Sequence, residues 1–262
     1  MKPDQYKINS LDRALRILEE LAEKGETLGV TELSRRLKVD KSMIYRLVHT
    51  LANRAFVEKD PQTKKYGLGF KVVQLAGMKL NSMKLFTVVR PCLQELTKQT
   101  GENSHLAVLS DCEVIYLDRE DGPEVLNTKS GIGLQCPPHS SAVGKALLAY
   151  VSPEELAEIF RRHTLTKHTN NTIVSFAELK KHLAQVRAQG YAIDDEESYL
   201  GVRCIAAPVY DHRRVVVASL GSSGPKQRIV EERLSLLTDM VMRMAQKLSS
   251  RLGYTARSRI VV

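Results

Sequence analysis

Residues 30–52, VTELSRRLKVDKSMIYRLVHTLA, decide the fold of the first part of the chain. Leu33 and Leu37 lie four residues apart, as on one face of a short helix that Thr31 is positioned to cap. Asp40 is positioned to cap a second helix, whose apolar side chains recur at intervals of three and four. They are Ile44, Leu47, Val48 and Leu51. Only a short turn separates the helices, so the stretch predicts a helix-turn-helix.

The opposite face of the second helix is polar. Its side chains are Ser42, Tyr45, Arg46 and His49, preceded by Lys41. A buried core accounts for the apolar face of this helix but not for hydroxyl, phenol, guanidinium and imidazole groups on the other. Such groups contact base edges and phosphates when a helix lies in the major groove of DNA. Together with Thr31, they are the predicted DNA-contacting residues of the two helices.

The flanking sequence completes a winged domain. Before the helix-turn-helix, an amphipathic helix is predicted to begin after Ser10 and to end at Gly25. One face of this helix is predicted to be buried in the core. That face comprises Leu11, Ala14, Leu15, Leu18, Leu21 and Ala22. After it, residues 55–59 and 64–68 are typical of two short strands around the turn 60–63. Lys64 and Lys65, at the rim of this wing, are placed to contact phosphates.

The distribution of charge along the chain supports that interpretation. Residues 1–80 carry 16 Lys and Arg against 10 Asp and Glu, whereas residues 81–262 carry 23 against 20. A basic balance concentrated in the first third fits a polyanionic partner. We therefore predict a winged helix-turn-helix domain at 8–70, with its helix-turn-helix at about 30–50 and its wing at about 55–68.

The composition excludes several protein classes. Apolar residues make up 43% and charged residues 26% of the chain, and it contains no apolar run typical of a signal peptide or membrane span. We expect a cytoplasmic protein that does not bind membranes. The four cysteines form no Cys-x-x-Cys pair, which favours reduced thiols. Cys136 and His139 have ligand-like spacing, but no second pair completes a zinc site, so we expect no metal or cofactor.

Residues 71–254 predict a second domain of the α+β class that includes a linker helix. Helical spacing from Phe70 to Ala76 and from Leu85 to Gln99 predicts the connecting helices. The predicted strands are 104–109, 113–118, 125–128, 203–209 and 215–219. The predicted helices are 141–150, 153–162, 176–189 and 227–252. Strands and helices grouped in blocks favour an antiparallel sheet flanked by helices.

The segment from His139 to Lys145 suggests enzymatic motifs that its spacing excludes. The segment does not match a phosphate-binding P-loop, because His139 stands where that motif requires Gly and Ala146 stands where it requires Ser or Thr. Ser141 and Lys145 are one residue too far apart for a Ser-x-x-Lys pair. We therefore predict no catalytic residues. Small residues at this helix start leave backbone N–H groups open to a carboxylate or phosphate; alternatively, Ser140 simply caps the helix.

Several of these motifs resemble those of IclR-family regulators. Val30–Ser34, Lys41–Leu47 and Tyr66–Gly69 resemble the family's N-terminal domain, while His139–Lys145, Gly190–Glu197 and Gly201–Pro208 resemble its effector domain. The likeness extends to near Tyr254. It implies a GAF-like or profilin-like sheet domain, and a homodimer paired through its N-terminal helices, or a homotetramer, on a palindromic double-stranded DNA operator.

The resemblance also implies an effector pocket. Asp194, Val202 and Cys204 would line it, Ala142 and Val143 would close it, and Thr128 and Cys136 would lie opposite. The neighbouring Glu196 and Glu197 are expected in a solvated loop. A thiol, a carboxylate and apolar walls suit a small carboxylic or sugar acid or a hydroxylated relative, with Asp194 bonded to a hydroxyl or protonated beside a carboxylate.

The interpretation we favour is a sequence-specific repressor controlled by such a metabolite. One alternative is a DNA-binding protein whose second domain only assembles oligomers. The other is a DNA-tethered enzyme that uses its cysteines or His139 as reactive groups.

Overall fold

The computed structural model describes residues 7–24, 27–110, 112–123 and 131–255, in two compact units divided after Met83. Each unit has an apolar core of its own. None of the helices in the described ranges combines the length and apolar character needed to span a lipid bilayer.

The first unit is a helix-turn-helix followed by a two-stranded wing, as predicted. Its elements are α1 Asn9–Lys24, α2 Val30–Leu37, α3 Lys41–Asn53, β1 Val57–Lys59, β2 Tyr66–Leu68 and α4 Phe70–Ser82. The strands β1 and β2 are antiparallel, with Glu58 opposite Gly67. Leu28 also exchanges two backbone hydrogen bonds with Tyr66, so the segment before α2 extends the wing by one bridge.

The core of the first unit corrects the predicted face of α1. The buried side chains are Ile17, Leu21, Leu28, Leu33, Leu37, Ile44, Val48, Val57 and Tyr66. Leu11 and Leu15, predicted to be buried, are 56% and 50% exposed, whereas Ile17 is fully buried. The first turns of α1 thus present apolar side chains to solvent. Gly25, the predicted end of α1, lies outside the described residues.

The turn between α2 and α3 is held by backbone hydrogen bonds and by the Ser34 hydroxyl, which donates to the Val39 carbonyl at 2.6 Å. Lys38 has a left-handed conformation with φ 54°, and the Val39 N–H donates to the Ser34 carbonyl at 3.2 Å. The predicted caps are corrected. Gly29 is the N-cap of α2, which places Thr31 within the first turn, and Asp40 is the N-cap of α3 without a side-chain capping hydrogen bond to the described chain.

The second unit is a six-stranded antiparallel sheet with helices on both faces, in agreement with the predicted α+β class. Its helices are α5 Lys84–Thr100, α6 Ala142–Leu148, α7 Pro153–Arg162, α8 Phe176–Gln189 and α9 Glu231–Arg251. Its strands are β3 Asn103–Ser110, β4 Glu113–Glu120, β5 Gln135–Cys136, β6 Ala192–Asp195, β7 Val202–Tyr210 and β8 Val216–Pro225. The strand order is β5-β4-β3-β8-β7-β6. The short strands β5 and β6 were not predicted, and the predicted strand 125–128 lies outside the described residues.

The sheet register aligns four residues across neighbouring strands. Asp194 on β6 lies opposite Cys204 on β7, Cys204 lies opposite Ser223 on β8, and Ser223 lies opposite Asn103 on β3. Residues directly opposite one another point to the same face of a sheet. This row faces α6, which packs on β3, β6, β7 and β8, whereas α5 and α9 lie against the other face.

Candidate functional site

The outer face of α3 is exposed along its whole length. Ser42, Tyr45, Arg46 and His49 are all exposed, as is Lys41 at the helix start. Ile44 and Val48, on the opposite face, are fully buried. Burial of one face fixes the helix orientation, so the polar side chains project away from the core. The Tyr45 and His49 ring centroids lie 6.3 Å apart, and the Arg46 guanidinium has no acidic partner among the described residues.

The remaining predicted DNA-contacting residues lie around α2 and the wing. Thr31 is exposed in the first turn of α2. Lys64 and Lys65 are exposed, and the wing turn that carries them is fixed by Asp60, whose Oδ1 accepts from the N–H groups of Gln62 and Thr63 at 2.8 and 2.7 Å. These two hydrogen bonds lower the pKa of Asp60 below its usual value. The wing therefore offers two cations on an ordered turn.

In the second unit, six of the predicted effector residues line one cavity between the sheet and α6. They are Cys136, Ala142, Val143, Asp194, Val202 and Cys204. Thr128, the seventh, lies outside the described residues. This sheet cavity has a volume of about 30 Å³. It is therefore narrow compared with ligand pockets of roughly 300–1,000 Å³.

Beside the sheet cavity, Lys145 and Glu197 form a buried ion pair. The Lys145 Nζ donates to Glu197 Oε1, and Lys145 is completely buried. Burial raises the pKa of Glu197 to about 7, an effect that the Lys145 ammonium partly offsets. The expectation that Glu197 belongs to a solvated loop is wrong, because Thr172 Oγ1 also donates to its carbonyl at 2.7 Å. Glu196 is partly exposed and pairs with Lys226.

Asp194 both lines the cavity and holds the segment that follows β6. Its Oδ1 accepts from the N–H of Glu197 at 2.7 Å and from the N–H of Ser198 at 3.2 Å. Burial raises the pKa of Asp194, while the nearby Lys145 ammonium opposes that shift. The carboxyl group therefore anchors the segment 196–201, which contributes Ser198 and Tyr199 to the cavity wall.

The start of α6 is capped by Ser141 rather than by the predicted Ser140. The Ser141 Oγ accepts from the Gly144 N–H at 3.1 Å and donates to the Pro137 carbonyl at 2.7 Å. A Cβ at Gly144 would lie 2.3 Å from the Pro138 carbonyl oxygen. Glycine thus permits the close approach that places Ala142 and Val143 against the sheet.

The two cavity thiols are free and have raised pKa values. Burial raises the pKa of Cys136 to about 11 and that of Cys204 well above its ordinary value. All four cysteines lie in described parts of the chain, and none forms a disulfide. A protonated thiol is a weak nucleophile, so these groups serve as wall rather than as reactive centres. Within the described ranges, no cluster of three or more His, Cys, Asp or Glu residues is arranged to hold a metal.

Sequence reasoning did not assign seven further cavity residues to the effector pocket. They are His105, Tyr116, Pro137, Ser141, Ser198, Tyr199 and Ser223. His105 and Ser223 lie on β3 and β8, far apart in sequence, and only the sheet order brings them together. The sequence contained a signal for both, since each is a polar residue in a predominantly buried strand, where a polar group needs a partner or a function.

Comparison with known families accounts for both units. Residues 10–61 match the model of the IclR helix-turn-helix domain, and residues 77–250 match that of the bacterial transcriptional regulator IclR C-terminal domain.

Individual relatives match almost the full length. The HTH-type transcriptional regulator KdgR of Escherichia coli is 36% identical over 253 residues, covering 97% of this chain and 95% of KdgR. The transcriptional repressor IclR of Escherichia coli is 34% identical over 253 residues, covering 96% and 92%. A solved IclR homologue from Microbacterium hydrocarbonoxydans, complexed with 4-hydroxybenzoate, is 24% identical with a TM-score of 0.82 and covers 93% of this chain and 99% of that one. That likeness shows a shared fold.

Proposed function

The chain belongs to the IclR family of DNA-binding transcription regulators, and on that premise we propose that it is a repressor that a small organic acid controls. Its family gives it a DNA-binding head and an effector-binding C-terminal domain, and its relatives are regulators rather than enzymes. The hypothesis of a DNA-tethered enzyme is therefore dropped. We place the protein in the cytoplasm, where its operator lies.

The observation that carries the DNA-binding proposal is the exposed polar face of α3 opposite a buried apolar one. Ser42, Tyr45 and Arg46 are the proposed base-contacting side chains, because they lie in the first half of a helix of the length that enters a major groove. Lys41 and His49 flank them. Lys64 and Lys65 on the wing, with Thr31 on α2, are the proposed phosphate contacts that set the position of the head on the duplex.

Exposed apolar side chains support a dimer formed through the first unit. They are Ile8 just before α1, Leu11 and Leu15 on α1, and Phe70, Val73 and Met78 on α4. Several exposed apolar side chains on one helix mark an interaction surface, and a second copy of the chain is the occupant that a palindromic operator requires. A two-fold dimer would present two α3 helices to half-sites one helical turn, or a multiple of it, apart. Two such dimers would form a tetramer.

The sheet cavity supports binding of a small hydroxylated carboxylic acid. Its walls combine the Asp194 carboxyl group, two thiols and apolar side chains. Because its volume is about 30 Å³, the wall must open to admit an organic acid. Tyr199, which lines the cavity and is 43% exposed, belongs to the segment that we propose to move. An effector changes operator affinity only if it binds the two arrangements unequally.

The small cavity volume also favours a second candidate function. If the wall does not open, the C-terminal domain assembles oligomers and the operator is occupied constantly. Thermal stability distinguishes the two, because a ligand that binds only the folded protein raises the unfolding temperature with concentration.

The experiment selects bound fragments from a random DNA pool with the full chain and then adds candidate acids. We expect an enriched palindrome and its release by one or more hydroxy acids, with 4-hydroxybenzoate included as a probe because a protein of the same fold binds it. No enriched sequence would refute the DNA-binding proposal. An enriched palindrome with no release and no thermal shift by any acid would favour the second candidate.

A further inference from the structure

Three buried polar atoms on the cavity side of the sheet have no hydrogen-bond partner among the residues that the structure describes. They are Asn103 Nδ2, His105 Nδ1 and Ser223 Oγ, on residues that are at most 4% exposed. His105 and Ser223 line the sheet cavity, and Asn103 lies directly opposite Ser223 across the β3–β8 pair. A buried polar atom without a partner is costly, so three together indicate a place where a ligand completes the hydrogen bonding.

The chemistry at this end of the cavity suits an anion. The Asn103 amide and the Ser223 hydroxyl are donors, and neutral His105 can donate from Nδ1. Burial lowers the pKa of His105 to about 4, so the ring is uncharged at neutral pH. Arg119 lies directly opposite His105 on β4, and its positive charge lowers the pKa of His105 further. A carboxylate supplies the acceptors that these groups need.

The other end of the cavity suits a hydroxyl group. Asp194 already uses Oδ1 for two backbone N–H groups, and its carboxyl group also accepts a hydrogen bond from the Ser198 side chain. The acceptor capacity that remains suits a hydrogen-bond donor on the ligand. A ligand carboxylate next to Asp194 would be repelled while both are ionised. Asp194 and Ser223 are two strand spacings apart, about 9.6 Å between backbones. Cys204 lies between them in the sheet, and Val143 of α6 lines the same cavity, so the walls favour an apolar ligand centre.

We propose that the effector is a hydroxy acid with an apolar middle, bound with its carboxylate at Asn103, His105 and Ser223 and with its hydroxyl at Asp194. This assignment rests on the proposed function of the same cavity. It excludes a polyhydroxylated sugar acid, whose additional hydroxyls would face thiols and aliphatic groups. It also requires several atoms between carboxylate and hydroxyl, so glycolate is too short.

The first test measures binding by titration calorimetry on the full chain with glycolate, lactate, 4-hydroxybutanoate, 4-hydroxybenzoate and gluconate. We expect one of the two longer hydroxy acids to bind at least tenfold more tightly than glycolate or gluconate. Gluconate as the tightest ligand would overturn the hydroxy-acid assignment and leave the effector function standing. Binding of none of these acids would overturn the assignment too, and absence of operator release by any acid would count against the effector function itself.

The second test uses a matched pair of serines. Ser222 and Ser223 are adjacent and buried on β8, and neither Oγ has a partner within the described part of the chain. Ser222 points to the opposite face of the sheet. We expect S223A to lower the affinity for the hydroxy acid about tenfold or more, and S222A to change that affinity less than twofold. Equal losses in both variants would overturn the subsite.

The orientation is tested by pairing each variant with a ligand that lacks one end. The methyl ester of the hydroxy acid lacks the anionic end. S223A should therefore bind this ester with an affinity within twofold of the wild-type affinity. Asp194→Asn keeps an acceptor for the segment 196–201. This variant should bind the hydroxy acid more weakly than wild type does, but it should bind the deoxy analogue, which lacks the hydroxyl, with unchanged affinity. A tighter deoxy analogue in D194N would place the carboxylate at Asp194 and overturn the orientation.

Discussion

Lys145 on α6 and Glu197, in the segment between β6 and β7, form a buried ion pair across 52 residues of sequence. Glu197 Oε2 has no partner among the described residues. The pair joins the helix that closes the sheet cavity to the segment that forms its wall.

Removing one member of this ion pair should strongly destabilise the folded protein. Lys145→Met leaves the Glu197 carboxylate buried without a counter-charge, so we expect the free energy of unfolding to fall by about 3–5 kcal/mol. The double variant Lys145→Met, Glu197→Leu should recover most of that loss. The partly exposed surface pair of Lys226 and Glu196 is the control, and Lys226→Met should cost far less stability than Lys145→Met. Urea unfolding measures all three, and an equal loss in K145M and K226M would contradict the argument.

Arg46 should distinguish operator from random DNA. Because its guanidinium is exposed on the outer face of α3, we expect Arg46→Ala to weaken operator binding by about 1–3 kcal/mol and to relax preference at one base pair. Fluorescence anisotropy on operator and random duplexes measures this. Arg161→Ala, in the other unit, is the control. Equal weakening on both duplexes would reassign Arg46 to a phosphate.

Lys64 should behave differently, because a wing lysine contacts phosphate. We expect Lys64→Ala to weaken operator and random DNA alike and to reduce the slope of log affinity against log salt by about one. The measurement repeats the titration over a range of salt concentrations. An unchanged slope would remove Lys64 from the interface.

His105 should make stability depend on pH. Its pKa in the folded protein is about 4, below the ordinary value of 6.5, because burial disfavours the charged ring. The unfolded chain therefore takes up the proton first as pH falls, and stability present at pH 7 is lost between pH 6.5 and 4. The contribution lost by pH 5 is about 2 kcal/mol.

The raised pKa of Glu197 acts in the opposite direction, since that carboxyl group favours the folded protein as pH falls from 7. The comparison is therefore between wild type and His105→Gln, each unfolded in urea at pH 7 and pH 5. The variant should lose less stability on acidification than wild type. Parallel losses would show that His105 does not titrate as its burial requires.

Leu15 should report on the dimer. Because its side chain is half exposed on α1, Leu15→Glu should change the stability of the isolated chain little but dissociate the dimer. Sedimentation velocity gives the oligomeric state, and binding to a full palindrome should weaken more than binding to a half-site. Leu236→Glu, at an exposed leucine of α9, is the control. A dimer that persists in L15E would move the interface elsewhere.

Sequence periodicity predicted the elements whose contacts are local. The stripe of Ile44 and Val48 fixed α3, and Ser152 followed by Pro153 marked the start of α7. Each depends on neighbours within one or two helical turns, so the residues themselves carry the information.

What the sequence did not predict depends on contacts between distant segments. A lysine is rarely fully buried, and nothing near Lys145 indicates that a glutamate 52 residues away neutralises it. Likewise, His105 and Ser223 meet only because β3 pairs with β8, an order that strand patterns do not specify. Leu11 and Leu15 were misassigned because apolar residues at helical spacing do not reveal how far a domain core extends along the helix.

The row of Asp194, Cys204, Ser223 and Asn103 has an evolutionary consequence. Exchanging the serine and the thiol, as in C204S with S223C, moves a hydroxyl one strand toward Asp194, a step of about 4.8 Å. The preferred metabolite would shorten while α3 and the wing kept their sequence. Signal and target genes can therefore diverge independently in descendants of this protein.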